Sequence, residues 1–383
     1  MKKIRCLSLP QNKKAEMAIK DRAVSNWLLL GVVLVFFQIV IGGVTRLTDS
    51  GLSITEWAVI QGTLPPMNEV QWNEAFEKYK VHASKQYLSL HADMDLKEFK
   101  VIFFWEYFHR LWARMMGFAF LFPFLFFLVK KRLTKRIIRR LGVVILLAMC
   151  AATFGWIMVA SGLNDDSRTW VSAYKLIIHL GIATTLIAYL YKTYLISLGE
   201  ARGKDFKLFT PFFNNSTINS NKQGAYKFGR VLLLVLFVQI LLGGLMAGMR
   251  AGLIHPHFPV FINFDRFLLA LDSMNQSIES EIVNYEPSSS IKALVQVFHR
   301  AMAYALVIIS VIYGFFLKKR GLLNRYSKLY LGVLFVQFLL GVLTIINCFG
   351  SVPVFYGAAH QAVALILLMS LLRFDHELTH ANK

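Results

Sequence analysis

Four histidines carry the clearest chemical signal in this chain. Two sit in repeated triplets, Phe108-His109-Arg110 and Phe298-His299-Arg300, 190 residues apart, and two more, His179 and His360, follow them by 70 and 61 residues on apolar stretches. An ionisable side chain inside a long apolar segment is expensive and marks a functional site by default. Because the pair recurs in each half, four hydrogen-bonded packing histidines is the weaker reading. Facing imidazoles in a helical bundle suit a planar iron porphyrin with one axial ligand on each side. Zinc would want a third and fourth ligand nearby, and the second half offers nothing at that depth beyond Cys348.

The neighbours of the histidines sharpen this reading. Arg110 and Arg300 follow directly on theirs, turned by about 100° on a helix, a placement that lets them snorkel outward toward propionate carboxylates. The alternative is a pair of interfacial arginines satisfied by loop carbonyls. Arg46 and Arg250 are weaker candidates for the propionate role. Glu106 lies three residues before His109, on the same helical face, whereas Gln296 holds that place before His299. A carboxylate in one half and its neutral amide in the other suggests a first site whose chemistry involves protons or positive charge, and a second that only moves electrons. In the competing reading Glu106 simply holds the His109 ring. His255-Pro256-His257 is read as a loop feature.

These residues need membrane helices to place them. With 383 residues, 56% hydrophobic content and 32 Phe, and a mean hydropathy of +0.51, the chain is expected to be an all-α integral membrane protein. Eight spans are predicted near 27–45, 101–129, 141–161, 173–195, 230–249, 293–317, 329–349 and 354–373. The net charge of +20 falls in short clusters between these spans, such as Lys130, Lys131, Arg132, Lys135, Arg136, Arg139 and Arg140. That is the positive-inside pattern, so both termini are expected in the cytoplasm and nucleic acid is not an expected partner. Cys6, Cys150 and Cys348 are far apart, and no structural disulfide is expected. The start MKKIRC lacks a short apolar run with a cleavage site, which points to a bacterial inner (plasma) membrane.

An internal duplication divides the chain. Phe37-Gln38-Ile39-Val40-Ile41-Gly42-Gly43 matches Val238-Gln239-Ile240-Leu241-Leu242-Gly243-Gly244 at an offset of 201. Two pseudo-symmetric four-helix bundles are therefore predicted, as parallel repeats, because four crossings return each to its starting side. The expected organisation is a cytoplasmic tail (1–26), a first bundle (27–195) with outer loop 46–100, a cytoplasmic linker (196–229), a second bundle (230–373) with outer loop 250–292, and a cytoplasmic tail (374–383). This topology places all four histidines about 8 to 12 Å below the outer surface. In the first outer loop, Trp72, Ala75, Phe76 and Tyr79 share one helical face, predicting an amphipathic helix that lies on the membrane or covers the protein's own outer end. Asp95 and Glu98 form a capping box before the second span.

Several stretches resemble the haem A synthase family: GGVTRLTDSGLSITEW (42–57), EFKVIFFWEYFHRLWARMMG (98–117), VSAYKLIIHLG (171–181), VFHRAMAY (297–304) and LGVLTIINCFGSVPVFYGAAHQA (340–362). The resemblance implies a membrane oxidoreductase that oxidises a ring methyl of haem O to the formyl group of haem A for terminal oxidases, by successive hydroxylations and loss of water. It implies haem B as cofactor on His299 and His360, and haem O as substrate on His109 and His179, so that all four histidines are haem-iron ligands. Glu106, His109 and His179 are then the catalytic set, with Arg110 and Arg300 beside the haems. Implied partners are the farnesyltransferase that makes haem O and an electron donor or acceptor, together with membrane lipid; whether a second copy of the chain (a homo-oligomer) joins them is left open by the sequence. The chain has no cysteine pair in its first outer loop, and so resembles the cysteine-free class. The stretch HPHFPVFINFDRF (255–267) departs from the family pattern. The competing reading is a di-haem cytochrome b that only carries electrons.

Overall fold

Leucine, phenylalanine and valine runs uninterrupted by charge form helices in which every backbone polar group is satisfied internally. A computed structural model describes residues 11–55, 64–163, 169–202, 220–259, 268 and 278–380. The basic residues Lys2, Lys3 and Arg5, Cys6 and the middle of the 196–229 linker lie outside the described residues.

Eight helices are long and apolar enough to cross a membrane. They are α1 (Gln11–Leu47), α4 (Leu96–Val129), α5 (Lys135–Ala160), α6 (Ala173–Glu200), α7 (Ser220–Gly248), α9 (Ser289–Lys319), α10 (Arg325–Ile346) and α11 (Val354–His380). Three shorter helices, α2 (Glu69–His82), α3 (Ser84–Leu90) and α8 (Ile278–Val283), belong to the two long loops. The predicted apolar spans lie within these helices apart from a residue or a few at some ends, and most helices run well beyond them. Hydropathy marks only the hydrocarbon crossing, while a helix continues into the polar interface until something caps it. The Thr134 hydroxyl caps α5 by accepting from Ile137 N at 3.2 Å, and Asn324 and Ser327 form a capping box on α10. The predicted box of Asp95 and Glu98 is present on α4.

In the first half α1 packs on α4 and α6, and α6 on α5; in the second, α7 packs on α9 and α11, and α10 on α11. Each half has its own apolar core, one around Leu28, Leu141, Ile187 and Leu190, the other around Leu232, Leu236, Leu367 and Leu371. Large apolar side chains such as Phe118, Phe122, Phe315 and Phe335 face outward, as lipid contact requires. The halves meet where α6 crosses α7 and α1 crosses α11. Small residues allow this close approach: a Cβ on Gly248 would stand 2.8 Å from the Cβ of Ala173.

The predicted amphipathic helix is α2, and its apolar face covers the protein itself. Phe76 stacks on Phe99 at 4.8 Å and Trp72 meets Phe103 edge-on at 5.0 Å. Aromatic partners on the end of α4 offer denser packing than a headgroup layer does.

At the opposite face, Asp375 (α11) joins both halves. Its carboxylate receives Arg230 (α7) at 2.9 and 3.1 Å and Lys192 (α6) at 3.5 Å, and is 2% exposed. Replacing Asp375 by Ala leaves two cations without their counter-charge, an expected loss of about 3–5 kcal/mol, which thermal unfolding of the detergent-solubilised protein would register as a lowered midpoint.

Candidate functional site

The four histidines come from α4, α6, α9 and α11. His109 feels the charge of His179 in the first half, and His299 that of His360 in the second. Each faces a glycine on a neighbouring helix. A Cβ built on Gly42 would come to 3.0 Å of His109 Nε2, on Gly155 to 3.1 Å of His179 Cε1, on Gly243 to 3.4 Å of His299 Cε1, and on Gly341 to 3.0 Å of His360 Cε1. Each imidazole thus packs on bare backbone, and four such nitrogen donors are a set that could hold two porphyrin irons.

One helical turn before three of these glycines stands a glutamine. Gln38 Nε2 donates to the His109 carbonyl at 3.3 Å and Gln239 Nε2 to the His299 carbonyl at 3.0 Å, while Gln337 Nε2 lies 3.2 Å from both ring nitrogens of His360. The fourth position is Ala151, whose carbonyl accepts from His179 Nδ1 at 2.9 Å. That bond leaves the Nε2 lone pair of His179 available to a metal. Composition and hydropathy do not single out these residues. The signal that finds them is a spacing, Gln38-x3-Gly42, Gln239-x3-Gly243 and Gln337-x3-Gly341, with Ala151-x3-Gly155 as the fourth, which puts each partner pair on one helix face.

Glu106 is buried, 3% exposed, and its oxygens are fully engaged. Oε2 accepts from Ser53 Oγ and Ile54 N, both at 2.8 Å, and Oε1 pairs with Arg110 Nη2 at 2.5 Å. Gln296, its counterpart, donates from Nε2 to the His255 carbonyl at 3.0 Å. Ile54 and His255 are themselves 201 residues apart, the offset of the internal duplication. The first loop therefore presents an N–H at this place and needs an acceptor, and the second presents a C=O and needs a donor. Arg110 donates to the Ile54 carbonyl at 2.8 Å, and Arg300 to the His257 carbonyl at 2.9 Å. Each arginine thus holds a loop, Arg110 at Ile54 and Arg300 at His257, and the backbone of the His255-Pro256-His257 segment is gripped by Arg300 and Gln296.

Cys348 does not add a thiolate to the second pair. Its thiol donates to the Thr344 carbonyl at 3.2 Å, and burial pushes its pKa up to about 11. Among the described residues no three His, Cys, Asp or Glu side chains converge as a metal-holding group.

The family model of the COX15-CtaA cytochrome oxidase assembly proteins matches residues 25–372, which take in all eight membrane-crossing cores and all four histidines. The chain belongs to the COX15-CtaA family. A "Heme A synthase" of Nitrosospira multiformis is 38% identical to it over 99% of both chains. Another of that name, from Flavobacterium psychrophilum, is 36% identical over 91% of this chain and 96% of the relative, and one from Bradyrhizobium diazoefficiens is 37% identical over 91% and 89%. In this COX15-CtaA member, then, the duplicated histidine pairs, their glycines and the loop-holding arginines all fall within the matched region, and the chain spans nearly the whole length of its relatives.

Proposed function

We propose that the protein is a haem A synthase, a multi-pass bacterial membrane oxidoreductase that converts the ring methyl of haem O into the formyl group of haem A for a terminal oxidase. The observation that carries this reading is the presence of two histidine pairs, each histidine packed on a glycine, in a chain related end to end to proteins of that name. Haem O is the substrate, held in the first half by His109 and His179. In the second half His299 and His360 would hold a haem B, which when bound would supply a one-electron centre.

The chain's own residues do the rest. Glu106 accepts hydrogen bonds from three donors, Ser53 Oγ, Ile54 N and Arg110 Nη2, which fix its carboxylate in place. One helical turn from His109, that charge stabilises positive charge developing on the substrate as its methyl group is oxidised. Gln296 keeps the second site neutral. Arg110 and Arg300 each hold a loop, at Ile54 and His257. The two halves act as parallel repeats, with both termini and the Lys/Arg-rich connections in the cytoplasm of a cell whose inner membrane contains the protein. The haem O-producing farnesyltransferase delivers substrate, a separate donor or acceptor exchanges the electrons, and copies of the chain associate with one another.

Extraction of pigment from the purified protein, followed by chromatography and mass spectrometry, tests this reading. Haem B together with haem O, its alcohol or haem A is the expected result from a host that makes haem O. Two equivalents of one haem type, with no O- or A-type pigment, would instead identify an electron carrier.

A further inference from the structure

The long-loop ends of α1 and α7 meet in an ion cluster that the proposed chemistry leaves unused. Asp49 and Arg250 stand 201 residues apart, the offset of the internal duplication, and each lies two residues beyond its helix. Both adopt the left-handed backbone, with φ of 56° and 51°, a conformation uncommon outside glycine. Their amides make matching bonds, Asp49 N to the Arg46 carbonyl and Arg250 N to the Ala247 carbonyl, each at 3.4 Å. Two equivalent positions thus carry opposite charges and pair with each other across the junction of the halves.

Among the described residues the charges at this junction do not balance. The Asp49 carboxylate also receives Arg46 Nη1 at 3.2 Å, and Arg46 Nη2 donates to the Gly248 carbonyl at 2.8 Å. Trp170 lies beneath both guanidinium groups, 4.6 Å from Arg250 and 5.9 Å from Arg46. Of the other charged groups at hand, Lys292 and Glu286 offset each other, and burial depresses the pKa of His91, which favours its neutral form. Among the described residues one positive charge is left over. The Arg46 side chain is only 10% exposed, yet its Nε and the indole Nε1 of Trp170 are buried without a hydrogen-bond partner among the described residues. Two buried donors beside a surplus cation are a preformed site for an anion.

Its position says which anion. Arg46 follows Gly42 by four residues, on the same face of α1 and about 6 Å further along the axis, and Gly42 is the residue that packs on His109. We propose that Arg46 and Trp170 form the carboxylate site for a propionate of the porphyrin held by His109 and His179, with Asp49 as a built-in competitor for Arg46. This rests on the reading of the first half as a porphyrin site. Substrate binding at the junction would then be felt by Arg250 and α7, the first helix of the other half.

The test is an optical titration of the full-length protein, carrying its second-half haem, with iron protoporphyrin IX and with its dimethyl ester. Formation of a new bis-imidazole spectrum reports binding without recourse to turnover. The diacid is expected to bind the wild-type protein about 10- to 100-fold more tightly than the diester. Arg46→Gln should lose most of that preference, and Asp49→Asn, which removes the competitor, should tighten diacid binding, a gain that a purely structural role would not produce. Equal wild-type affinities for diacid and diester, with a spectrum that disappears in His109→Ala, would overturn the propionate site while leaving the porphyrin site standing. A spectrum that never forms, or that survives loss of both His109 and His179, would overturn both. Should Arg46→Gln fail to assemble, the wild-type comparison decides by itself.

Discussion

Replacing His360 by Ala is expected to weaken haem binding in the second half by more than about 100-fold, since losing even an outer partner of a ligating histidine costs roughly 10- to 100-fold. Gly341→Leu should have the same consequence by a different route. The added side chain enters where a Cβ alone already stands 3.0 Å from the His360 ring, so the ligand remains but its space does not. Gln337→Leu removes only the amide beside that ring and should produce a smaller loss. Absorbance of the purified variants in the Soret and α-band regions, with pyridine haemochromogen quantitation, separates the three. The first-half histidines lie on other helices and touch none of these residues, so their spectrum should persist. A His360→Ala protein with full second-half haem content would refute the ligand assignment.

Glu106→Ala is expected to lower haem A formation by about 100- to 1,000-fold, the range typical for removing a preorganised electrostatic group, while porphyrin remains bound on His109 and His179. The change also strands Arg110 and leaves Ser53 Oγ and Ile54 N without their acceptor. Glu106→Gln is the sharper probe. It keeps volume, but offers one carbonyl oxygen to three donors and turns an N–H toward the loop's own donors. If Glu106 acts as a fixed charge, both variants lose product without losing pigment. If it only anchors the loop, pigment is lost first and product in proportion. Haem content and the yields of haem O, alcohol and haem A, measured on the same preparations, distinguish these outcomes.

Much of this protein is legible in its sequence because membrane crossing leaves strong local marks. Uninterrupted apolar runs of the length of a bilayer can only be helices, so the eight spans, the α4 capping box and the α2 stripe follow from spacing alone. The histidines stand out for a related reason, that an ionisable group is costly in apolar surroundings. The duplication is what suggests their pairing.

What each side chain meets is a different matter. Helical period determines which residues share a face, but not which neighbour that face is turned toward. Gln38 and Gly42 were visible as part of a repeat, and only the packing of α1 on α4 shows that they serve His109. The contrast between Glu106 and Gln296 was legible as acid against amide. The structure adds that one loop presents an N–H and the other a C=O, a distinction of backbone direction that residue types do not encode. Arg46 and Arg250 were legible as weaker propionate candidates at helix ends, and nothing in the sequence joined Asp49 to them. Their convergence on Trp170 depends on contacts between segments as much as about 200 residues apart, because chain folding, rather than local propensity, brings buried charges to the one place where they can be paired.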